Sequence, residues 1–407
     1  MIEVGESLLA NGMRDLLPAE MARHRRVERA FLDACAARGY QEVRTPTLEH
    51  LYLFTSSGTL APQLLSRVYS FLDWDGWTGE RVVLRPDATI PVARLYREAL
   101  RGGVAKLAYV ANIFRFHAGP EPREVWQCGA ELIGDTWPQG DLELVTMAAQ
   151  ILRSLGVAGA TLRLSHTGIM RALLDQAGFL PDEQVELYDR LLDGDTSVLR
   201  EVEVRVPHLG AALELLGSVE AGSSGYLANL RSAFLPAVPG MQRPLDELSL
   251  IERTASLLGL ATEVTVAGAR DFEYYTGPVF QLASGDSVLA GGGRYDRLVV
   301  DAQDRQVPAC GFALHVDELA ALLQDEPPAA GAVLVRARSS EPEMLAAAFN
   351  VAEWLQQRGL AASLVEAESG GAALSVGREG YQVERVRGGA AVQVATLDGA
   401  LAALRGA

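Results

Sequence analysis

Hydrophobic positions near the amino terminus recur first at helical spacing and then at strand spacing. Val27, Phe31 and Ala34 share one face of a helix predicted over 20–38, and Gly39 is typical of a helix end. Alternating positions then predict a strand within 39–54, whose first part ends at Pro46. Further strands are predicted over 80–86, 106–114, 124–134 and 278–290, and further helices over 88–101 and 141–155. Long antiparallel strands with helices packed around them indicate an α+β fold.

The second half of the chain predicts an insertion and a separate domain. Residues 168–260 have a helical pattern interrupted by polar loop clusters, which indicates a helical insertion, and a strand returns at Thr262. The Pro, Gly and Ala content of 325–332 is typical of a linker. We therefore expect a core domain over 1–325 and a small C-terminal α/β domain over 331–407. The elements predicted in the small domain are strands over 332–337, 361–367 and 390–395 and a helix over 341–358.

Composition and charge narrow the class of protein. The 407 residues are 49% hydrophobic and 22% charged, which is ordinary for a soluble globular protein. No apolar run approaches the roughly 18 residues of a membrane helix, and the amino terminus lacks a secretory pattern, so a cytoplasmic protein is expected. A net charge of −16 argues against nucleic acid as the main partner, because binding phosphates takes Lys and Arg.

The cysteines form neither a metal-binding nor a disulfide pattern. Cys35, Cys128 and Cys310 are far apart, and none belongs to a C-x-x-C pair. We expect them to be small buried hydrophobic residues. Neither a metal nor a cofactor is expected in this chain.

Two segments in the first half contain candidate ligand-binding residues, and each can also be explained by an ordinary structural role. Asp87 and Thr89 stand at the start of a predicted helix, where they either hold a small cationic group or cap the helix. The predicted hairpin 114–131 has Arg115 and Arg123 at the two ends of its loop. These arginines either bind a phosphate or lie solvated at the surface.

The most specific signals lie in the second half, at 270–277 and 291–296. Three successive glycines precede Arg294, Tyr295 and Asp296. Glycine allows the backbone to come very close to a ligand, but it also occurs at bulges in a core sheet. Taken alone, each segment leaves both interpretations open.

Together and in order, these segments resemble the histidyl-tRNA synthetase family of class II aminoacyl-tRNA synthetases. The resemblance spans residues 12–320 and includes the 114–134 hairpin. The other motifs that carry it are GMRDLLP, EVRTPTLE, LRPDAT, ARDFEYYTGPVF, GGGRYD and PACGFAL. It implies a six-stranded antiparallel class II sheet and a dimer formed through the EVRTP segment.

The resemblance also implies a pocket for histidine. The residues that it carries over are Asp87, Thr89, Gln127, Glu131, Arg270, Tyr274 and Tyr275. Asp87 and Thr89 would bind the amino group, Glu131 would face the imidazole, and Arg270 would lie near the carboxylate. The alternative is that these residues form a hydrogen-bonded core that holds the sheet together.

The nucleotide half departs from the family pattern. Arg115 is kept, but His117 stands where the family has a Glu two positions after this Arg. Glu318 stands where the family has an Arg that supports the ATP phosphates. The glycine of the family's Arg-Gly-Leu-Asp run is Asp271 here. Because an acid facing a polyphosphate has the wrong charge, adenylation is expected to be lost or crippled. No catalytic residue is assigned, and Arg115 and Arg123 remain as a residual phosphate site.

A synthetase fold with a histidine pocket but no nucleotide site is similar to the regulatory subunits of ATP phosphoribosyltransferase, paralogues that pair with a short catalytic subunit in histidine biosynthesis. The resemblance implies a chain without activity of its own, a homodimer within a hetero-oligomer, and histidine as a feedback effector. Transfer RNA is not an expected ligand. Two alternatives stay open: a divergent histidine–tRNA ligase, which the C-terminal domain keeps possible, and a stand-alone histidine-binding module.

Overall fold

The chain forms two compact units in the computed structural model, Met1–Gln324 and Asp325–Ala407. The residues that the structure describes are 8–56, 68–74, 79–100, 102–117, 119, 121–134, 137–192, 194–218, 224–265, 274–325, 332–365, 372–385 and 391–405. Within them, no helix has both the length and the apolar character needed to cross a membrane.

An eight-stranded sheet is the centre of the first unit, and a three-stranded sheet accompanies it. The strands of this unit are β1 (Gln41–Glu42), β2 (Leu48–His50), β3 (Ser70–Trp74), β4 (Gly79–Leu84), β5 (Ala105–Phe114), β6 (Glu124–Ile133), β7 (Thr161–His166), β8 (Ala261–Val264), β9 (Pro278–Ser284), β10 (Ser287–Arg294) and β11 (Ala309–His315). The large sheet has the order β1-β5-β6-β11-β10-β9-β7-β8, and the small one β2-β4-β3. The six strands from β5 to β7 in that order are antiparallel, while β1 and β8 pair in parallel at the edges. The expected α+β fold with a class II antiparallel sheet is therefore confirmed.

Helices surround the large sheet and also make up the insertion. They are α1 (Pro18–Ala36), α2 (Leu51–Ser56), α3 (Thr89–Leu95), α4 (Gln139–Ser154), α5 (Thr167–Gln176), α6 (Pro181–Leu192), α7 (Ser197–Arg205), α8 (Gly210–Ser218), α9 (Ser224–Phe234), α10 (Gln242–Leu257) and α11 (Val316–Leu322). Helix α3 continues into a π-helical turn, Tyr96–Leu100. Helices α5 to α10 coincide closely with the stretch 168–260 for which the sequence predicts a helical insertion.

The two faces of the large sheet have different surroundings because side chains alternate along a strand. Cys128, Ala130 and Leu132 of β6 belong to the main hydrophobic core, which also contains residues of α1, α4, α5 and α10. All three cysteines are buried free thiols in this core, as predicted. On the opposite face, β6 presents Gln127 and Glu131 toward a second, tyrosine-rich cluster. The predicted pocket residues therefore lie on the face away from the main core.

Two strand predictions were wrong in their extent. The strand predicted over 278–290 is the hairpin of β9 and β10, because Gly285 turns the chain with a φ of 60° that favours glycine. The strand predicted within 39–54 is reduced to β1 and β2, and the chain becomes helical at Leu51. Pro46 has no N–H to donate to a ladder, and it lies between the two short strands.

The second unit is a five-stranded sheet with two helices. Its elements are β12 (Val333–Ala337), α12 (Pro342–Gln356), β13 (Ala362–Ser363), β14 (Ala372–Gly377), β15 (Gly380–Arg385), β16 (Val392–Val394) and α13 (Leu397–Arg405), with the strand order β13-β12-β14-β15-β16. β12 pairs in parallel with β13 and β14, whereas β14, β15 and β16 are antiparallel. The hairpin of β14 and β15 and the helix α13 were not predicted, although Leu397, Leu401 and Leu404 of α13 have helical spacing.

Candidate functional site

Glycines of the central strands make room for a buried acid. Glu131 on β6 lies directly opposite Gly311 on β11, and a Cβ at position 311 would overlap the Oε2 atom of Glu131. Gly129 lies under the ring of Tyr109 in the same way. At Gly293, in the three-glycine run, a Cβ would come within 2.9 Å of the Tyr275 ring. The glycines of the predicted motif therefore allow close approach on the pocket face.

Glu131 is the centre of a buried hydrogen-bond network. Its Oε1 accepts a hydrogen bond of 2.8 Å from the Thr89 hydroxyl, and its Oε2 accepts one from the Tyr295 hydroxyl. The Thr89 and Tyr109 hydroxyls are 3.4 Å apart. Burial, with a smaller contribution from nearby Asp87, raises the pKa of Glu131 to about 8, although the hydrogen bonds act to lower it. The acid therefore carries a proton at neutral pH that an entering base could share.

Asp87 has one satisfied and one unsatisfied oxygen. Its Oδ1 accepts a hydrogen bond of 2.9 Å from the backbone N–H of Ile90, so it does cap the first turn of α3. Its Oδ2 is buried and has no hydrogen-bond partner among the described residues. Burial raises the pKa of Asp87. A buried acceptor left open in this way is suited to a donor group such as an ammonium.

Three tyrosines cover the acids. The rings of Tyr274 and Tyr275 lie 5.1 Å apart, and that of Tyr274 lies 5.5 Å from the ring of Tyr295 in an edge-to-face contact. All three side chains are buried. Tyr295 and Tyr109 were not named as site residues. The GGGRYD motif contains Tyr295, and the alternation of β5 places Tyr109 on the pocket face, so both signals were present in the sequence.

The structure brings most of the predicted histidine-binding residues into one buried region. Those that lie there are Asp87, Thr89, Gln127, Glu131, Tyr274 and Tyr275. Gln127 is on the same face of β6 as Glu131, beside His315 of β11. Arg270 and Asp271 lie outside the described residues.

The predicted phosphate arginines of the hairpin are held by the protein itself. Arg123 donates from Nε to the carbonyl of His117 at 2.9 Å and from Nη1 to the Tyr69 hydroxyl at 3.3 Å. Its guanidinium also lies 4.5 Å from the centre of the Phe116 ring. Arg115 donates from Nε to the carbonyl of Pro86 at 3.1 Å. The guanidinium of Arg123 is therefore engaged within the hairpin.

The positions of the two altered nucleotide residues are well defined. His117 lies in the hairpin loop, where its Nδ1 is 2.9 Å from the Glu121 carboxylate. Glu318 is exposed in the first turn of α11. The neighbouring Asp317 accepts a hydrogen bond of 3.0 Å from the backbone N–H of Trp126. Two acids thus stand at the start of α11, where the family places a cation.

An antiparallel six-stranded sheet with buried acids and tyrosines on one face, and a helical insertion, defines a class II synthetase catalytic domain. The sequence profile of the histidyl-tRNA synthetase family matches residues 12–319, and the chain belongs to this family. The same fold occurs in a solved structure described as an ATP phosphoribosyltransferase regulatory subunit/histidyl-tRNA synthetase from Bacillus halodurans, with a TM-score of 0.72 and 24% identity over 88% of this chain and 92% of that one.

Two curated relatives of this chain carry the same name. A protein of Dehalococcoides mccartyi named ATP phosphoribosyltransferase regulatory subunit is 46% identical over 317 residues, which is 77% of this chain and 77% of the relative. One of Azoarcus sp. with the same name is 34% identical over 321 residues, 77% of this chain and 81% of the relative. These relatives support the predicted regulatory subunit over the predicted ligase.

Proposed function

We propose that this chain is a regulatory subunit that lacks a synthetase reaction of its own and activates a partner ATP phosphoribosyltransferase, with histidine as the effector in the buried pocket. The identity of 46% to a protein named as such a subunit carries the proposal. The name of that relative implies a separate catalytic chain, which would be the partner here.

The chemistry of the pocket suits histidine. The open Oδ2 of Asp87 is available to the ammonium, and Glu131, with a pKa raised by burial to about 8, can share a proton with the imidazole. The rings of Tyr274 and Tyr275 supply apolar surface against which the imidazole would pack. The proposed carboxylate partner is Arg270, which remains a prediction from the family resemblance.

The charges of the nucleotide half argue against adenylation. Glu318 occupies the position of a phosphate-binding arginine, and Arg123 is engaged with His117, Tyr69 and Phe116. In adenylation the histidine carboxylate would attack the α-phosphate of ATP and pyrophosphate would leave. This step needs cations aimed at the developing negative charge, and their loss costs orders of magnitude in rate. The net charge of −16 further disfavours tRNA as a ligand.

Two assays on the purified chain test this function together. Histidine-dependent ATP–pyrophosphate exchange should be absent, because the nucleotide half lacks its cations. Addition of the chain to a short-form ATP phosphoribosyltransferase should raise the rate of phosphoribosyl-ATP formation, and histidine should lower that rate. A complete histidyl-tRNA synthetase is the positive control for exchange. Exchange at the synthetase's rate, or no effect on the transferase, would contradict the proposal.

The small sheet exposes an apolar surface that suits a second copy of the chain. All five residues of β3 are exposed. Large apolar side chains on β2, α2 and β3 have high exposed fractions: Leu48 48%, Tyr52 76%, Phe71 46%, Leu72 57% and Trp74 67%. Clusters of exposed large apolar side chains often mark interaction sites, and closed two-fold pairing is the commonest outcome. We infer that the homodimer forms here, next to the EVRTP segment.

Charge on this surface should break the dimer. Leu72→Glu with Trp74→Glu would bury two carboxylates in the interface, so light scattering at micromolar concentration should give a dimer for the parent and a monomer for the double variant. Leu257→Glu is the matched control, since Leu257 is 88% exposed near the end of α10 and should leave the dimer intact. A monomeric parent, or a dimer that tolerates the double variant, would rule out this interface.

A further inference from the structure

A cleft of about 580 Å³ is lined by residues other than the described residues of the proposed histidine pocket. Its walls come from the first turns of α5, from the start of α10, and from the chain segment that follows β10. Arg171, Arg243 and Arg297 reach it from these three elements, and each is exposed. A protein with 52 acidic and 36 basic residues thus gathers arginines around one concave surface.

Two of these arginines form no ion pair with a residue in the described part of the chain. Arg171 and Arg297 make neither a hydrogen bond nor an ion pair with any described residue, although they lie close enough to affect each other. Partial desolvation of the guanidinium group, and then the neighbouring charge of Arg297, lower the pKa of Arg171, against a smaller opposing effect of Tyr188 and Asp175. Two guanidinium groups held near each other repel each other, and an anion bound between them would relieve that cost.

Each acidic side chain in the wall of the cleft has a hydrogen-bond or ion-pair partner other than Arg171 and Arg297. Glu247 lies 2.9 Å from Arg294 and 2.7 Å from Arg243, and it also contacts His166. Asp175 accepts a hydrogen bond of 2.7 Å from the Gln184 amide. Asp296, the third acid, accepts a hydrogen bond of 3.3 Å from the backbone N–H of Ala309 and lies beside the charge of Arg294. None of the three therefore forms an ion pair with Arg171 or Arg297.

A second, smaller cavity of about 300 Å³ adjoins the same two arginines. Its remaining lining is largely apolar and aromatic and includes Leu174, Val185, Tyr188 and Tyr275. Arg171 and Arg297 thus stand between a polar cleft and an apolar one. A ligand that spans both needs an anionic group at the arginines and a flat or apolar body beside them.

We propose that Arg171 and Arg297 form a binding site for a nucleotide, with its phosphate between the two guanidinium groups and its base in the cavity lined by Val185 and Tyr188. The planar guanidinium fork matches phosphate oxygens two at a time, and aromatic side chains are the usual partners of nucleobases. The site is separate from the residual phosphate site of the hairpin, and it does not depend on the proposed regulatory function.

Calorimetry on the full chain with three matched probes tests the site. AMP carries both groups, adenosine lacks the phosphate, and ribose 5-phosphate lacks the base. AMP should bind more tightly than either of the others. Arg171→Gln and Arg297→Gln should each weaken AMP binding by roughly tenfold or more, as expected for loss of charge-assisted hydrogen bonds. The AMP affinities of the corresponding Lys variants should lie between those of the parent and of the Gln variants, because lysine keeps the positive charge but lacks the planar guanidinium group.

Arg253→Gln is the control for loss of one positive charge. Arg253 is exposed on the same helix as Arg243, and ten residues of helix place it about 15 Å further along. It should leave AMP binding unchanged. If AMP fails to bind the parent, or binds both cleft variants as tightly as the parent, the arginines are solvated charges and the proposal is wrong. Histidine binding measured in the same samples shows that the protein is intact and tests the proposed pocket separately.

Discussion

Replacing Glu131 by Gln should weaken histidine binding to the isolated chain by roughly 10- to 100-fold, the cost of a charge-assisted hydrogen bond. Burial holds the pKa of Glu131 at about 8, so the free pocket offers a proton that a neutral imidazole can share. Glutamine has nearly the same volume, but its amide cannot become negatively charged and so cannot form an ion pair with imidazolium. Calorimetry gives the affinity, and the histidine concentration that half-inhibits the transferase complex should rise in parallel.

Glu124→Gln is the matched control for this variant. Glu124 is on the same strand, β6, where it accepts a hydrogen bond of 2.7 Å from Asn112, at the end away from Glu131. The same chemical change there should leave histidine affinity unaltered. Unchanged inhibition of the Glu131→Gln complex would mean that the network of Glu131, Thr89 and Tyr295 is a structural core and that the effector binds elsewhere.

The pH dependence of unfolding tests the buried acid without histidine. A Glu has an ordinary pKa of 4.5, and the folded chain raises that of Glu131 to about 8. Between these values the folded chain keeps a proton that the unfolded chain has lost, so the free energy of unfolding falls as the pH rises through this window. The stabilisation is complete below the lower value and absent above the upper one. Urea unfolding at about pH 5 and about pH 9 should show a smaller fall for Glu131→Gln than for the parent.

Replacing Arg294 by Met should destabilise the first unit by about 3–5 kcal/mol, the usual cost of removing one partner from a buried ion pair. Arg294 is buried and donates from Nη2 to Asp141 at 2.6 Å and from Nη1 to Glu247 at 2.9 Å. Burial raises the pKa of Asp141 to about 6, even with Arg294 beside it. Against burial, hydrogen bonds from His166 and Arg243 lower the pKa of Glu247 to about 2. Met fills the volume but leaves both acids without this cation.

Denaturant unfolding measures this loss, and Arg190→Met is its control. Arg190 also pairs with two acids, Asp195 and Glu201, but on the surface of the insertion. Water and salt screen such pairs, so its removal should change the unfolding midpoint very little. If the two variants unfold alike, the buried network around Arg294 does not stabilise the domain.

Much of the catalytic-domain architecture can be predicted from local pattern. The period-two alternation of β5 and β6 assigns Gln127 and Glu131 to one face whatever their neighbours are, because successive side chains of a strand point to opposite faces. The start of α3 just after Asp87 follows from capping preferences. Ordered motifs then identify the family. Strand ends were less predictable, as Gly285 and Pro46 show, because turns depend on single residues.

Tertiary structure alone decided which residues meet. The Glu131 carboxyl group accepts hydrogen bonds from Thr89 and Tyr295, and the lack of a side chain at Gly311 leaves room for it. These residues come from distant parts of the chain. Their meeting depends on the register of β6 against β11, and a shift of one residue would turn Glu131 to the other face. The approach of Arg171 to Arg297 likewise joins the insertion to the sheet. Local sequence determined the faces and the family, whereas long-range register and packing determined the contacts, because contact depends on where strands and helices are placed against one another.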